Sequence, residues 1–171
     1  ARVAANKILA PDLLIPLQKG KLNGQQVFLR TDTHWTPEGA QIAAETLAKT
    51  IAEKTPLSGE PQRFVTEPAQ TVTHKGDLRL FLPLDPLFEN MMPATEPLQK
   101  RNTVAAGDQA SGDDALFANT EVPVALIGTS YSANPNWNFV GALKQALNSD
   151  VVNYAEDGHG PILPMLSYLK S

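Results

Sequence analysis

Ser130 lies at a position where a nucleophile could act. It follows residues 122–127, an apolar run predicted to form a buried strand, and it precedes a predicted helix near Asn134. In open parallel sheets, ligands bind at the carboxyl ends of the strands. A serine hydroxyl attacks only after a base takes its proton, and the chain has three histidines. Most Gly-Thr-Ser turns after strands have no catalytic role, so Ser130 alone leaves both interpretations open.

Asp32 and His34 are the acid and base that could activate such a serine. In an extended chain, residues two apart point to the same side, so these two side chains would share a face. A buried carboxylate that accepts one imidazole N–H fixes the tautomer and stabilises the cation formed during proton transfer. A helix-capping turn explains the same spacing equally well. No further ligands at metal-site spacing are visible, and we expect no metal.

His74 and His159 are the other two histidines. His74 lies in an irregular part of the sequence, and we expect it to be an exposed or loop residue. His159 lies between Gly158 and Gly160, after the next predicted strand and at the same sheet edge as Ser130. It could line the cleft, although solvent exposure is the simpler expectation.

The elements that would position these residues indicate an α/β fold. Residues 27–29 and 151–154 are apolar runs of strand length. A helix is predicted to start at Thr36-Pro37-Glu38, because threonine can cap it, proline suits the first position and glutamate favours the positive end of the dipole. The strand at 122–127, the helix after Asn134 and the strand at 151–154 form a βαβ unit. We therefore expect a mostly parallel sheet flanked by helices.

Residues from about 55 to 119 differ from the rest of the chain in composition and in hydrophobic pattern. They are rich in proline and show no sustained hydrophobic period. We predict an irregular insertion here, in which residues 78–82 are the one core-like piece. At 171 residues the chain fits a single domain, 1–171.

Composition excludes several function classes. The formal net charge of −4 argues against a nucleic-acid surface, which needs a concentrated basic patch. The chain has no cysteine, which removes disulfides, thiolate metal sites and cysteine nucleophiles. No apolar stretch reaches the length of a membrane-spanning helix.

Two blocks of the sequence resemble the signature blocks of the alginate O-acetyltransferase family, and the J-type members most closely. The blocks are residues 30–40, RTDTHWTPEGA, and residues 126–132, LIGTSYS. The catalytic domain of that family is similar to the SGNH (GDSL) hydrolases. Here the acid-histidine block comes before the serine block, so the order resembles a circular permutation of the SGNH fold. We expect the chain to represent part of such a domain, incomplete at both ends.

The resemblance implies roles for particular residues. Ser130 would be the nucleophile, His34 the general base and Asp32 its partner. Residues 153–158 resemble a second SGNH block, which makes the backbone N–H of Gly158, with Gly160 close behind, a candidate oxyanion donor. The candidate substrate contacts are Tyr131, Trp35 and Arg30, and further basic contacts could come from Lys75, Arg79, Lys100 and Arg101.

The implied reaction is transfer of acetyl groups to hydroxyls of an exopolysaccharide, alginate, through an acetyl-serine and without a cofactor. The resemblance also implies a periplasmic location near the inner membrane and a membrane-bound acetyl-donor protein as partner. A carbohydrate acetylesterase would use the same triad. A non-catalytic polysaccharide-binding subunit is the third alternative, although all three triad residues are present.

Overall fold

The computed structural model describes residues 6, 8–84, 86–106 and 122–171. Within this part of the chain, the regular elements are five α-helices and four β-strands, joined by short 3₁₀ turns. Among the described helices, none combines the length and the apolar character that crossing a membrane requires. The helices are α1 (Leu14–Leu22), α2 (Pro37–Lys54), α3 (Ser130–Ala133), α4 (Phe139–Leu147) and α5 (Ile162–Tyr168), and the strands are β1 (Phe64–His74), β2 (Glu96–Ala105), β3 (Val124–Leu126) and β4 (Val151–Asn153).

The four strands form two separate pairs. The short strands β3 and β4 run parallel, with Val124 opposite Val151 and α4 connecting them. The long strands β1 and β2 run antiparallel, with Phe64 opposite Ala105 and His74 opposite Glu96. The α/β class is therefore confirmed and the predicted βαβ unit is present. The expected mostly parallel arrangement, however, is limited to β3 and β4, and the longer pair is antiparallel.

Helix α2 begins where the sequence predicts. The hydroxyl of Thr36 accepts a hydrogen bond from the backbone N–H of Gly39 at 3.1 Å, and Pro37 is the first helical residue. The buried face of α2 consists largely of alanines, and it packs against α4. Small side chains let two helices approach closely, which allows the core around Trp137 and Leu143 to be dense.

The prediction of an irregular insertion from 55 to 119 is wrong for the residues in β1 and β2. β1 is rich in β-branched residues, with Val65 and Thr66 near its start and Thr71, Val72 and Thr73 near its end, and such residues favour strands. Pro68 obscured the pattern, but it lies where the register shifts, between Pro68 and Thr71, so its missing N–H breaks no regular ladder. Residues 107–119 of the predicted insertion lie outside the described residues, and the single domain stays a prediction.

Three smaller predictions also need correction. Residues 27–29 form no strand and contribute only an isolated bridge between Phe28 and Trp35. The helix predicted after Asn134 begins only at Phe139, because a 3₁₀ turn, Pro135–Trp137, and Asn138 with a φ of 51° come before it. The piece at 78–82 is not core-like, because the 3₁₀ turn there leaves Leu80 and Phe81 86% and 78% exposed.

Glu96, at the start of β2, holds the segment that precedes the acid and base. Its side chain is buried, and it accepts hydrogen bonds from the backbone N–H groups of Arg30 and Thr31, both at 2.9 Å. The Thr31 hydroxyl and the Gln26 amide also donate to it, both at 2.8 Å. Burial alone would raise the pKa of Glu96, but these donors from Thr31, Arg30 and Gln26 lower it below its ordinary value.

We predict that Glu96→Gln lowers the free energy of unfolding by about 1–3 kcal/mol at pH 7, because it leaves buried donors without an anionic partner. A carboxyl whose pKa is depressed in the folded state stabilises the fold above its unfolded pKa. It loses that effect as the pH falls through the folded value. The difference from wild type should therefore shrink below about pH 4. Urea denaturation at several pH values measures this difference in the free energy of unfolding.

Glu53→Gln is the matched control, since Glu53 is exposed on α2. This variant should stay within about 0.5 kcal/mol of wild type. Equal stability of the Glu96 variant and wild type at pH 7 would contradict the role assigned to Glu96.

Candidate active site

The acid and base lie at the tip of a tight loop. The backbone N–H of Leu29 donates to the carbonyl of His34, and that of Thr36 donates to the carbonyl of Val27, both at 3.1 Å. Asp32 then accepts the backbone N–H of His34 at 2.9 Å, as in an Asx turn. The segment is thus bent and not extended, so the expected pairing of Asp32 with His34 occurs through a turn instead of strand alternation.

The loop brings His34 against Ser130, the first residue of α3. His34 Nε2 lies 2.7 Å from Ser130 Oγ, and His34 Nδ1 lies 2.6 Å from Asp32 Oδ1. A carboxylate accepts only, so Nδ1 is the protonated nitrogen and Nε2 is free to accept the serine proton. The three residues predicted as a triad therefore lie together, in a geometry that suits a general base and a nucleophile.

The second oxygen of Asp32 accepts hydrogen bonds from groups for which the sequence predicts no role in the site. His74 Nε2, at the end of β1, lies 2.8 Å from Asp32 Oδ2. The backbone N–H of Asp77 donates to the same oxygen at 3.2 Å. The Asp77 carboxylate itself accepts from the backbone and hydroxyl of Thr33, at 2.8 and 2.5 Å. The turn after β1 therefore holds the loop tip from one side.

These donors determine the charge of Asp32. Burial alone would raise the pKa of its carboxyl. The hydrogen bonds from the His34 and His74 side chains and from the backbone of His34 and Asp77 nevertheless lower the pKa of Asp32 below its ordinary value. Asp32 is consequently ionised at neutral pH, which is the state that stabilises a protonated His34.

Aromatic rings fix the plane of the His34 imidazole. Trp137 stacks on it, with centroids 5.0 Å apart and planes at 22°, and Tyr131 lies 4.8 Å away on a tilted plane. The Tyr131 hydroxyl donates to the carbonyl of Thr33. Burial, together with the charges of Asp77 and Asp32, raises the pKa of Tyr131, so the phenol keeps its proton. The base therefore has little freedom to rotate away from Ser130.

A cavity of about 690 Å³ opens beside the acid and base. The residues that line it are Asp32, His34, His74, Lys75, Gly76, Asp77, Arg79, Leu80, Leu82, Pro83, Glu89, Met92, Asn134, Trp137 and Asp157. Lys75 and Arg79 are the lysine and arginine in this lining, which also contains the carboxyl groups of Asp32, Asp77, Glu89 and Asp157. The cavity can therefore present an acyl group or a sugar to the base.

The structure does not support Trp35 and Arg30 as substrate contacts. Trp35 is 8% exposed, donates through Nε1 to the carbonyl of Tyr131 and stacks on Phe139, so it belongs to the core. The Arg30 side chain is 71% exposed and its Nε lies 3.7 Å from Glu96, away from the cavity lining. Tyr131 packs on His34 and, like Ser130, is not among the residues that line this cavity, so its role as a substrate contact stays a prediction.

The glycines proposed as oxyanion donors lie in the segment that borders the cavity. Gly158 has a φ of 73°, follows Asp157 and is exposed, as is Gly160. The backbone N–H of Glu156 donates to the carbonyl of Gly128 at 3.1 Å, which ties this segment to the turn before Ser130. Their role as donors stays a prediction. His159 is exposed and pairs with Glu156 at 3.1 Å.

Asp32, His34 and Asp77 also place three possible metal ligands within 4.8 Å of one another. Both His34 nitrogens are already engaged, one with Asp32 and one with Ser130. The Asp77 carboxylate is engaged with Thr33. The hydrogen bonds of the acid and base account for this cluster without an ion.

The sequence analysis assigns no role in the site to His74, Asp77 or Trp137. His74 was expected to be an exposed or loop residue, but its side chain is only 14% exposed and lies against Asp32. The Thr-Val-Thr-His alternation at the end of β1 is the signal that could have placed it on a strand end. For Trp137 the sequence gives no sign of a role in the site, and only the stacking on His34 shows it.

Comparison with known proteins identifies the family of the chain. The model of the SGNH hydrolase-like domain of the acetyltransferase AlgX matches residues 1–171. The chain belongs to this family. The resemblance noted from the two sequence blocks is therefore confirmed, as is the SGNH-like fold.

The chain is similar to proteins named probable alginate O-acetylase AlgJ. It is 78% identical to the Pseudomonas fluorescens protein over 171 residues, which are 100% of this chain and 43% of that protein. It is 52% identical to the Pseudomonas aeruginosa PAO1 protein over 176 residues, 99% of this chain and 45% of that protein. The chain thus spans less than half the length of these relatives.

A solved structure supports the same fold. The O-acetyltransferase domain of Pseudomonas putida AlgJ superposes with a TM-score of 0.85 at 55% identity, covering 99% of this chain and 55% of that one. Pseudomonas aeruginosa AlgX superposes with a TM-score of 0.67 at 22% identity, covering 92% and 40%. The second likeness concerns the fold alone.

Gly76 should be sensitive to substitution because the turn after β1 approaches the loop tip closely. A Cβ at Gly76 would overlap the backbone carbonyl of Thr31, which also accepts the N–H of Leu78 at 3.1 Å. We predict that Gly76→Ala lowers the free energy of unfolding by about 1–3 kcal/mol. It should also slow labelling of Ser130 by an organophosphonate, because the support of Asp32 is displaced.

Thr73→Ala, at an exposed position of β1 close to Gly76, is the control. Labelling rates, with chemical denaturation of the same samples, measure both effects. Wild-type labelling and stability in the Gly76 variant would show that the close approach is unimportant.

Proposed function

We propose that this protein is a serine-dependent O-acetyltransferase that acetylates hydroxyls of alginate. The observation that carries the proposal is the chain of contacts from Ser130 Oγ to His34 Nε2 at 2.7 Å and from His34 Nδ1 to Asp32 at 2.6 Å. Family membership supports acyl transfer as the chemistry. The names of the similar alginate O-acetylases support the acceptor.

The first half-reaction loads the enzyme. Ser130 Oγ attacks the carbonyl carbon of the acetyl donor while its proton passes to His34 Nε2, and the ionised Asp32 stabilises the imidazolium. The tetrahedral oxyanion would accept hydrogen bonds from the Ser130 and Gly158 N–H groups. Collapse breaks the bond to the leaving group, which takes the proton from His34. Acetyl-Ser130 and a neutral base remain.

The second half-reaction transfers the acetyl group from Ser130 to the acceptor. A sugar hydroxyl in the cavity gives its proton to His34 Nε2 and attacks the acetyl carbonyl. Collapse then breaks the ester to Ser130, whose oxygen recovers the proton from His34. The acetyl group has moved from donor to sugar and the enzyme is unchanged. Water in place of the sugar would make the same protein an acetylesterase, so the acceptor decides between the two activities.

The cavity lining suggests how a uronate acceptor is held. Lys75 and Arg79 line the cavity beside the acid and base, and neither forms an ion pair with a described carboxylate. A guanidinium binds a carboxylate through two parallel hydrogen bonds. Arg79 is therefore the residue that we assign to a carboxylate of the acceptor, with Lys75 as a second positive charge.

The cellular setting is a proposal that rests on the family resemblance. We propose a periplasmic location near the inner membrane and a membrane-bound protein that supplies the acetyl group. Separation of periplasmic and cytoplasmic fractions, followed by immunodetection, tests the location. Crosslinking of the protein in membranes tests the partner.

We predict that brief exposure to an activated acetyl ester adds about 42 Da to the protein, the mass of one acetyl group, at Ser130. Intact mass spectrometry with peptide mapping measures the adduct. Ser130→Ala should abolish it, whereas Ser132→Ala, two residues away on α3, should retain it. Oligomannuronate should then discharge the adduct with transfer of acetyl to the sugar.

Two results would contradict the proposal in different ways. No adduct on the wild-type protein would favour the non-catalytic binding subunit. Discharge of the adduct only to water in the presence of oligomannuronate would favour the esterase.

For Arg79→Gln we predict about a tenfold increase in KM for oligomannuronate, from the loss of one charge-assisted contact. The rate of acetyl-Ser130 formation should be unchanged, because that step precedes acceptor binding. Lys49→Gln, which removes the same charge from the exposed face of α2, is the control. Steady-state transfer assays measure both variants, and an unchanged KM for Arg79→Gln would remove Arg79 from the acceptor site.

A further inference from the structure

The Asp32 carboxylate is shared by two imidazoles. Oδ1 faces His34 Nδ1 at 2.6 Å, and Oδ2 faces His74 Nε2 at 2.8 Å. The side chain of His74 is as enclosed as that of His34, each 14% exposed, and Asp32 is 5% exposed. Because an ionised carboxylate only accepts, His74 donates its Nε2–H to Asp32.

The position of His74 is set by elements outside the loop that carries the acid and base. His74 is the last residue of β1 and lies opposite Glu96 in the β1–β2 register. The rings of His74 and Trp137 are nearly perpendicular, with centroids 5.6 Å apart and planes at 82°. Trp137 also stacks on the ring of His34. One tryptophan therefore orients both imidazoles around the same carboxylate.

We propose that His74 is a positioning residue of the site: its Nε2–H holds the Asp32 carboxylate in the plane that His34 needs. The proposal rests on the proposed role of Ser130 as nucleophile. Without this donor, Oδ2 would keep only the longer bond from the Asp77 backbone at 3.2 Å. The carboxylate could then turn about its Cβ–Cγ bond, and His34 Nε2 would spend less time in line with Ser130 Oγ.

A purely structural role makes a different prediction. If His74 only filled space beside Trp137, any ring of similar size would serve, and activity would follow stability. A donor role requires an N–H at the position of Nε2. Glutamine can place its amide nitrogen near that position, whereas phenylalanine keeps the ring without a donor. These two substitutions separate the two roles.

The experiment compares wild type, His74→Gln and His74→Phe in the whole protein. Organophosphonate labelling of Ser130 reports the reactivity of the serine without any acetyl donor. Acetyl-Ser130 formation, KM for oligomannuronate and thermal unfolding are measured on the same samples. We expect His74→Phe to slow both reactions of Ser130 about 10- to 100-fold, and to change KM for the acceptor by a smaller factor, although His74 also lines the cavity. We expect His74→Gln to recover rates to within about threefold of wild type while both variants stay folded.

The outcomes test the positioning role of His74 separately from the transferase function. Wild-type rates in His74→Phe would overturn the positioning role, as would equal loss in both variants in proportion to lost stability. A wild-type Ser130 that takes the organophosphonate but no acetyl group would overturn the transferase function, while the ratio of labelling rates still decides the role of His74. A Ser130 that reacts with neither reagent would overturn both.

Discussion

The hydrogen bonds accepted by the Asp32 carboxylate are the interaction on which the site depends. The donors are the backbone and ring of His34, the ring of His74 and the backbone of Asp77. An ionised carboxylate at this depth is stable only when such donors replace water. Through these hydrogen bonds the Asp32 carboxylate joins the loop tip to the end of β1 and to the turn that follows β1. The carboxylate that accepts the His34 N–H thus also fixes the position of the imidazole.

Glu96 supports the same loop from the other side. It binds the backbone N–H groups of Arg30 and Thr31, and it lies across the strand pair from His74. The end of the β1–β2 pair therefore holds residues 30–32 with one buried carboxylate and one imidazole. Because both contacts come from a strand pair with many backbone hydrogen bonds, the loop is held by a stiff element. Rigid support of this kind suits a site where a small displacement reduces the rate strongly.

Local chemistry made part of this architecture predictable. The start of α2 followed from the capping preference of Thr36 and the position of Pro37, both of which act within one turn. The β3–α4–β4 unit followed from apolar runs of the right length. The β1–β2 pair did not, because Pro68 lies within β1 and several prolines lie nearby. Its strands are stabilised by pairing with each other, which a window of neighbouring residues cannot register.

The sequence by itself determined the α/β class, the family and the grouping of Ser130, His34 and Asp32, because each depends on residue types at short spacing or on signature blocks. Only the tertiary structure decided that His74 and Asp77 share Asp32, that Trp137 stacks on His34 and that Trp35 is a core residue. These contacts join segments far apart in the chain. Their distances are set by how β1, α3 and α4 pack, and no local period encodes that packing.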